Sequence, residues 1–79
     1  MNDKERMLAL LSDINEDIDF EHESALIGDG VLDSLDITVI IAAMDEAFGV
    51  HITTADIEPE NFDNIDAMLR LIDRARNTL

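Results

Sequence analysis

Ser34 lies in the run Gly30-Val31-Leu32-Asp33-Ser34-Leu35-Asp36, and its hydroxyl is the group whose surroundings point most directly to covalent chemistry. A serine that attacks substrates needs a base beside it, and in hydrolases it stands on a Gly-x-Ser-x-Gly elbow. That elbow is missing here, and neither His22 nor His51 is placed by any pattern to take the proton. Ser34 therefore reads as a residue that another protein modifies, a substrate and not a catalyst. Asp33 and Asp36 repel a phosphate, so a separate enzyme must bring donor and metal to it. Once attached, a phosphodiester suits the start of a helix, where backbone N–H groups are free and the positive end of the dipole lies.

Other residue clusters carry less. The stretch Asp13-Ile14-Asn15-Glu16-Asp17-Ile18-Asp19 begins like a calcium loop, but Ile18 stands where the turn glycine belongs and Ser24 where the bidentate glutamate should be. No specific metal site is expected. Loose divalent binding by crowded carboxylates would register as a melting temperature raised by millimolar magnesium or calcium. His22 and His51 lack ligand spacing, and Met7, Met44 and Met68 fall on helical core stripes as gap-fillers.

The elements that must position Ser34 follow from periodicity. Met7, Leu8, Leu11 and Ile14 recur on one face, so a first helix is expected over roughly Asp3 to Asn15, capped by Asn2 or Asp3. From Glu16 to Asp33 the pattern breaks into acids, the turn signal Gly28-Asp29-Gly30 and scattered apolar residues (Ile18, Phe20, Leu26, Ile27, Val31, Leu32), which predicts a long loop packed on the core. A second helix is predicted over Ser34 to Phe48, begun by Asp33 and stopped by Gly49, with Ile37, Ile40, Ile41, Met44 and Phe48 inward. Val50-His51-Ile52 is strand-like but too short for a sheet. Thr53 with Asp56 can cap a short third helix that must end before Pro59. A last helix, capped near Asp63, turns Ile65, Met68, Leu69, Ile72, Ala75 and Leu79 inward and carries Arg70, Arg74 and Arg76 toward its negative end. The expected fold is all-α: one domain over residues 1–79, a small bundle of three main helices and one short one.

Projected at about 100° per residue, Leu35, Val39 and Ala42 fall roughly opposite the inward stripe of the second helix. With Asp36, Asp45 and Glu46 around them they form an apolar patch with an acidic rim, which predicts a docking face for partners with basic surfaces. The whole chain agrees with this: 5 Lys+Arg stand against 19 Asp+Glu, a formal net charge of −14, and no cation occurs between Arg6 and Arg70. Such a balance repels nucleic acid and anionic lipid. At 79 residues there is little material for both a core and a walled catalytic pocket, so an enzyme is not expected. The chain has no cysteine, no membrane-spanning run and a charged start unlike a signal peptide, which together predict cytoplasmic residence, and a monomer is expected.

Asp33-Ser34-Leu35-Asp36 at the head of the second helix resembles the phosphopantetheine attachment motif of acyl carrier proteins. The likeness extends to Leu26-Ile27-Gly28-Asp29-Gly30-Val31-Leu32 before it, to Met44-Asp45-Glu46-Ala47-Phe48-Gly49-Val50-His51-Ile52 at the helix exit, and to Asp56-Ile57-Glu58-Pro59-Glu60-Asn61-Phe62 beyond. Nearly the whole chain aligns in order, and motif, helix register, acidity and length agree. The resemblance implies that a phosphopantetheinyl transferase moves a 4'-phosphopantetheine arm from coenzyme A to Ser34, and that an acyl or aminoacyl group is then carried on its thiol. Asp33 would cap the helix and help hold the transferase, and Leu35, Asp36, Asp45 and Glu46 would meet basic partner surfaces. Val39 replaces the acid that many fatty-acid carriers have in mid helix two, and Ala42 extends its apolar character, so recognition is expected to be less electrostatic. Gly-Val-Leu-Asp-Ser is similar to the D-alanyl and other free-standing specialised carriers. That form implies a separate adenylating ligase as loading enzyme, followed by an acyltransferase or synthase. The competing class is a small acidic helical interaction module that needs no modification.

Overall fold

Asn2 opens the first helix by accepting the Glu5 N–H on its side-chain oxygen at 2.8 Å. In the computed structural model, which describes residues 2–77, helix α1 then runs over Asp3–Ile14. Met7 and Leu11 are fully buried, and Leu8 and Ile14 half so. The second helix, α2, spans Ser34–Phe48 within the expected limits. It stops because Gly49 takes a left-handed φ of 64°, which lets its N–H close on the Asp45 carbonyl at 3.1 Å. Ile37, Ile40 and Met44 are its buried residues, with Ile41 and Phe48 packed partly against the core.

The segment after α2 departs from expectation in detail. In place of one short helix there are two single 3-10 turns, Thr54–Asp56 and Pro59–Asn61. The first is closed by the expected pair: Thr53 Oγ1 donates to Asp56 Oδ2 at 3.0 Å. Pro59 separates the two because it holds Glu58 extended (φ −119°, ψ 141°) and lacks an N–H, yet its fixed φ suits the start of the second turn. Val50 and Ile52 are buried without forming a strand; the Ile52 N–H donates to Asp45 Oδ1 at 3.1 Å.

The third helix, α3, covers Ile65–Asn77. Its cap is Asn64, whose Oδ1 accepts from the Ala67 N–H at 2.8 Å, one residue past the expected Asp63. Ile65, Met68, Ile72 and Ala75 are buried as predicted. Leu71 is fully buried too, whereas Leu69 is only half so; both border the same stripe, and packing selects Leu71. Leu79 lies outside the described residues.

The described residues form no strand, and the architecture is an all-α bundle with one core. The start of α1 is tied to the ends of both other helices. Asp3 pairs with Arg76 at 3.1 Å, and Arg6 donates to the Ala47 carbonyl and lies 4.6 Å from the centroid of the Phe48 ring. The Cα radius of gyration, 11.4 Å, agrees with the ~11.6 Å expected of a folded chain this long, so the connection between α1 and α2 is folded in. Among the described residues no helix is long and apolar enough to cross a membrane.

Candidate functional site

The loop from Asn15 to Asp33 places Ser34 because it is bound to the core at three points. Phe20, Leu26 and Leu32 are almost wholly buried, and each removes apolar surface worth roughly 1.5–3 kcal/mol from water. Around Leu26 the chain winds tightly: its carbonyl accepts both the Val31 and Leu32 N–H groups at 2.9 Å, and Gly30 supplies the left-handed residue (φ 74°) in between. Asp63 clamps this turn from the far end of the sequence. Its Oδ1 accepts the Ile27 and Gly28 N–H groups at 2.9 and 3.0 Å, and its carbonyl accepts the Leu26 N–H at 2.8 Å.

Two residues after Leu32 the helix begins in a reciprocal cap. Asp33 Oδ1 accepts the Asp36 N–H at 3.0 Å, and Asp36 Oδ2 accepts the Asp33 N–H at 3.1 Å. Both carboxylates are thereby turned onto the backbone, which satisfies two amide groups and fixes the direction of α2. Ser34 is the first residue of the helix and is exposed. Its hydroxyl makes no hydrogen bond to any described residue; only its carbonyl is engaged, by Thr38 Oγ1 at 3.0 Å. The N–H groups of Ser34 and Leu35 have no acceptor among the described residues either. An exposed hydroxyl thus stands beside two free amide donors at the positive end of a fifteen-residue helix, the arrangement a phosphodiester fits.

The face beside it is apolar and wet. Leu35 is 72% exposed and Val39 45%, Ala42 is exposed, and so is Val31 near the end of the loop. No family model, curated protein or solved structure matches this chain. The acids predicted to rim the face divide into two kinds. Glu46 is exposed and makes no ion pair among the described residues, whereas Asp36 and Asp45 are half-buried and hold the backbone, Asp36 at the head of α2 and Asp45 at Ile52.

Sequence reading brings Asp33, Ser34, Leu35, Asp36, Val39 and Ala42 to one end and side of α2. It misses Asp63, which contacts the loop across a separation of 36 residues that leaves no local pattern. A usable signal exists: with Asn64 available as the cap, Asp63 is an acid without a helix to start. The histidines stand apart from this site. His22 pairs with Asp19 at 2.8 Å in the loop, which raises the imidazole above its ordinary value and lowers the carboxylate; the hydrogen bond between them is the main cause of both.

Proposed function

We propose that this chain is an acyl carrier protein in which Ser34 accepts a 4'-phosphopantetheine arm and carries an acyl or aminoacyl group as a thioester between partner enzymes. One observation carries the reading: the Ser34 hydroxyl is exposed, bonded to no described residue and at the first position of a doubly capped helix, with Leu35, Val39 and Ala42 uncovered beside it. The chain has three serines, Ser12, Ser24 and Ser34, all exposed, and only Ser34 opens a helix.

In the proposed modification a bond forms between Ser34 Oγ and the phosphorus of the arm as the phosphoanhydride bond of coenzyme A breaks and adenosine 3',5'-bisphosphate leaves. No side chain among the described residues hydrogen-bonds the hydroxyl, so the proton leaves to a base of the transferase. The unbonded Ser34 and Leu35 amides then face the new phosphodiester, while the reciprocal cap keeps the Asp33 and Asp36 carboxylates turned onto backbone N–H groups. The thiol at the end of the bound arm carries the cargo. Leu35, Val39 and Ala42 present the docking face, with Glu46 at its edge, to the transferase, to an adenylating ligase and to a downstream acyltransferase or synthase.

Intact-mass measurement after incubation with coenzyme A and a broad-specificity transferase tests this. One added arm is expected, abolished by Ser34→Ala. An unchanged mass in a folded sample leaves the chain an unmodified interaction module and ends the carrier reading.

A further inference from the structure

On the flank of α2 that faces α1, the bundle leaves an open groove of about 490 Å³, lined by Leu10, Asp13 and Ile14 of α1 and by Ala43, Glu46 and Ala47 of α2. We propose that this groove is a second docking surface, and that its occupant is a basic amphipathic helix of a partner protein. None of its lining residues belongs to the Ser34 cap, and only Glu46 also edges the Leu35, Val39 and Ala42 face, so a partner seated between α1 and α2 leaves Ser34 itself open to another. The inference stands or falls independently of the carrier reading.

The shape and the charge select the occupant. Ala43 and Ala47, one turn apart, make a floor of small side chains that lets another backbone come close, and Leu10 and Ile14, again one turn apart, make a half-buried apolar wall. A helix with apolar residues at i, i+4 and i+7 matches that spacing. Asp13 and Glu46, one on each helix, are exposed and have no ion-pair partner among the described residues.

The chain's own cations leave these two acids uncompensated. Lys4 lies 3.9 Å from Glu21, Arg76 pairs with Asp3, Arg74 donates to Asn61, and Arg70 pairs with no acid among the described residues. Arg6, in the first turn of α1, is committed to the Ala47 carbonyl and the Phe48 ring. Lysines or arginines flanking the apolar ridge of a visiting helix would complete the pairing. A second copy of this chain is a poor occupant, because two molecules of formal charge −14 repel. A small molecule is also a poor one, since two helices without a lid leave most of it in water.

The test uses the isotopically labelled full chain and a synthetic helical peptide of about 18 residues, with leucines at i, i+4 and i+7 and lysines flanking them, titrated at low salt and followed by amide chemical shifts. Saturable shifts are expected at Leu10, Asp13, Ile14, Ala43, Glu46 and Ala47, equally in wild type and in Ser34→Ala. The double variant Asp13→Lys, Glu46→Lys should bind at least ~10-fold more weakly. Ala43→Gln, which fills the floor while keeping good helix propensity, should do the same. Circular dichroism and thermal melting confirm that the variants remain folded. The proposal is overturned by shifts confined to Leu35, Val39 and Ala42, by an equal response to a peptide of the same composition in scrambled order, by the absence of saturation, or by self-association of the chain through the same amides.

Discussion

Helices α2 and α3 are of similar length and both rich in apolar residues, but they place them differently. Of its thirteen residues α3 buries Ile65, Ala67, Met68, Leu71, Ile72 and Ala75, and its polar residues face water. Of its fifteen α2 buries only Ile37, Ile40 and Met44, although Leu35, Val39 and Ala42 are also apolar and lie in solvent. Packing explains α3 without remainder. It does not explain α2, where an apolar face is maintained in water next to a serine hydroxyl bonded to no described residue, and the proposed docking would account for such a surface.

Mutations in the two helices should separate these roles, and the largest effect belongs to α3. Leu71→Ala opens a cavity in the core and should cost about 2–5 kcal/mol, a large share of the stability of so small a domain, measured by urea unfolding. If it costs no more than a surface substitution, α3 is not the buried partner described here. Next is Asp63→Ala, which strips two loop amides of their acceptor and should cost about 1–3 kcal/mol. Hydrogen exchange at Ile27 and Gly28 should rise selectively, and unchanged protection there would show that the clamp is dispensable.

Asp33→Ala removes half of the reciprocal cap and should cost about 1 kcal/mol, with the loss of protection confined to the first turn of α2. On the exposed face, Val39→Asp should change stability by less than ~1 kcal/mol and yet slow loading by the proposed adenylating ligase about 10-fold. Unchanged loading kinetics would remove Val39 from the docking face.

The smallest effect lies outside both helices. Because Asp19 raises His22 above its ordinary value of 6.5, the pair favours the folded state at pH below about 6.5, and that contribution fades as the pH rises through the folded-state value. A nuclear magnetic resonance titration of the His22 ring should give a midpoint above 6.5 that falls back in Asp19→Asn. A midpoint that does not move would dissociate the pair.

What could be read from the sequence follows the range of the interactions involved. The limits of α2 were legible because Asp33 and Gly49 are local signals, and the wet face of Leu35, Val39 and Ala42 followed from helical projection alone. Leu71 was not, since it and Leu69 border one stripe and only the packing of the neighbouring elements decides between them. The choice of Asn64 over Asp63 as a cap depended on the loop's need for Asp63, a contact between distant parts of the chain. The second half of the reciprocal cap was hidden because Asp36 stands where that motif usually has Glu or Gln. The groove beside α1 depends on how two helices meet and leaves no trace in either alone.

The central claim is that Ser34 is the residue the cell modifies. Mass spectrometry of the protein isolated from its own host, with peptide-level localisation, addresses it without any supplied enzyme. The account predicts a phosphopantetheine arm on the peptide containing Ser34 and bare peptides at Ser12 and Ser24. A protein whose mass is that of the sequence alone, or an arm found on another residue, would contradict it.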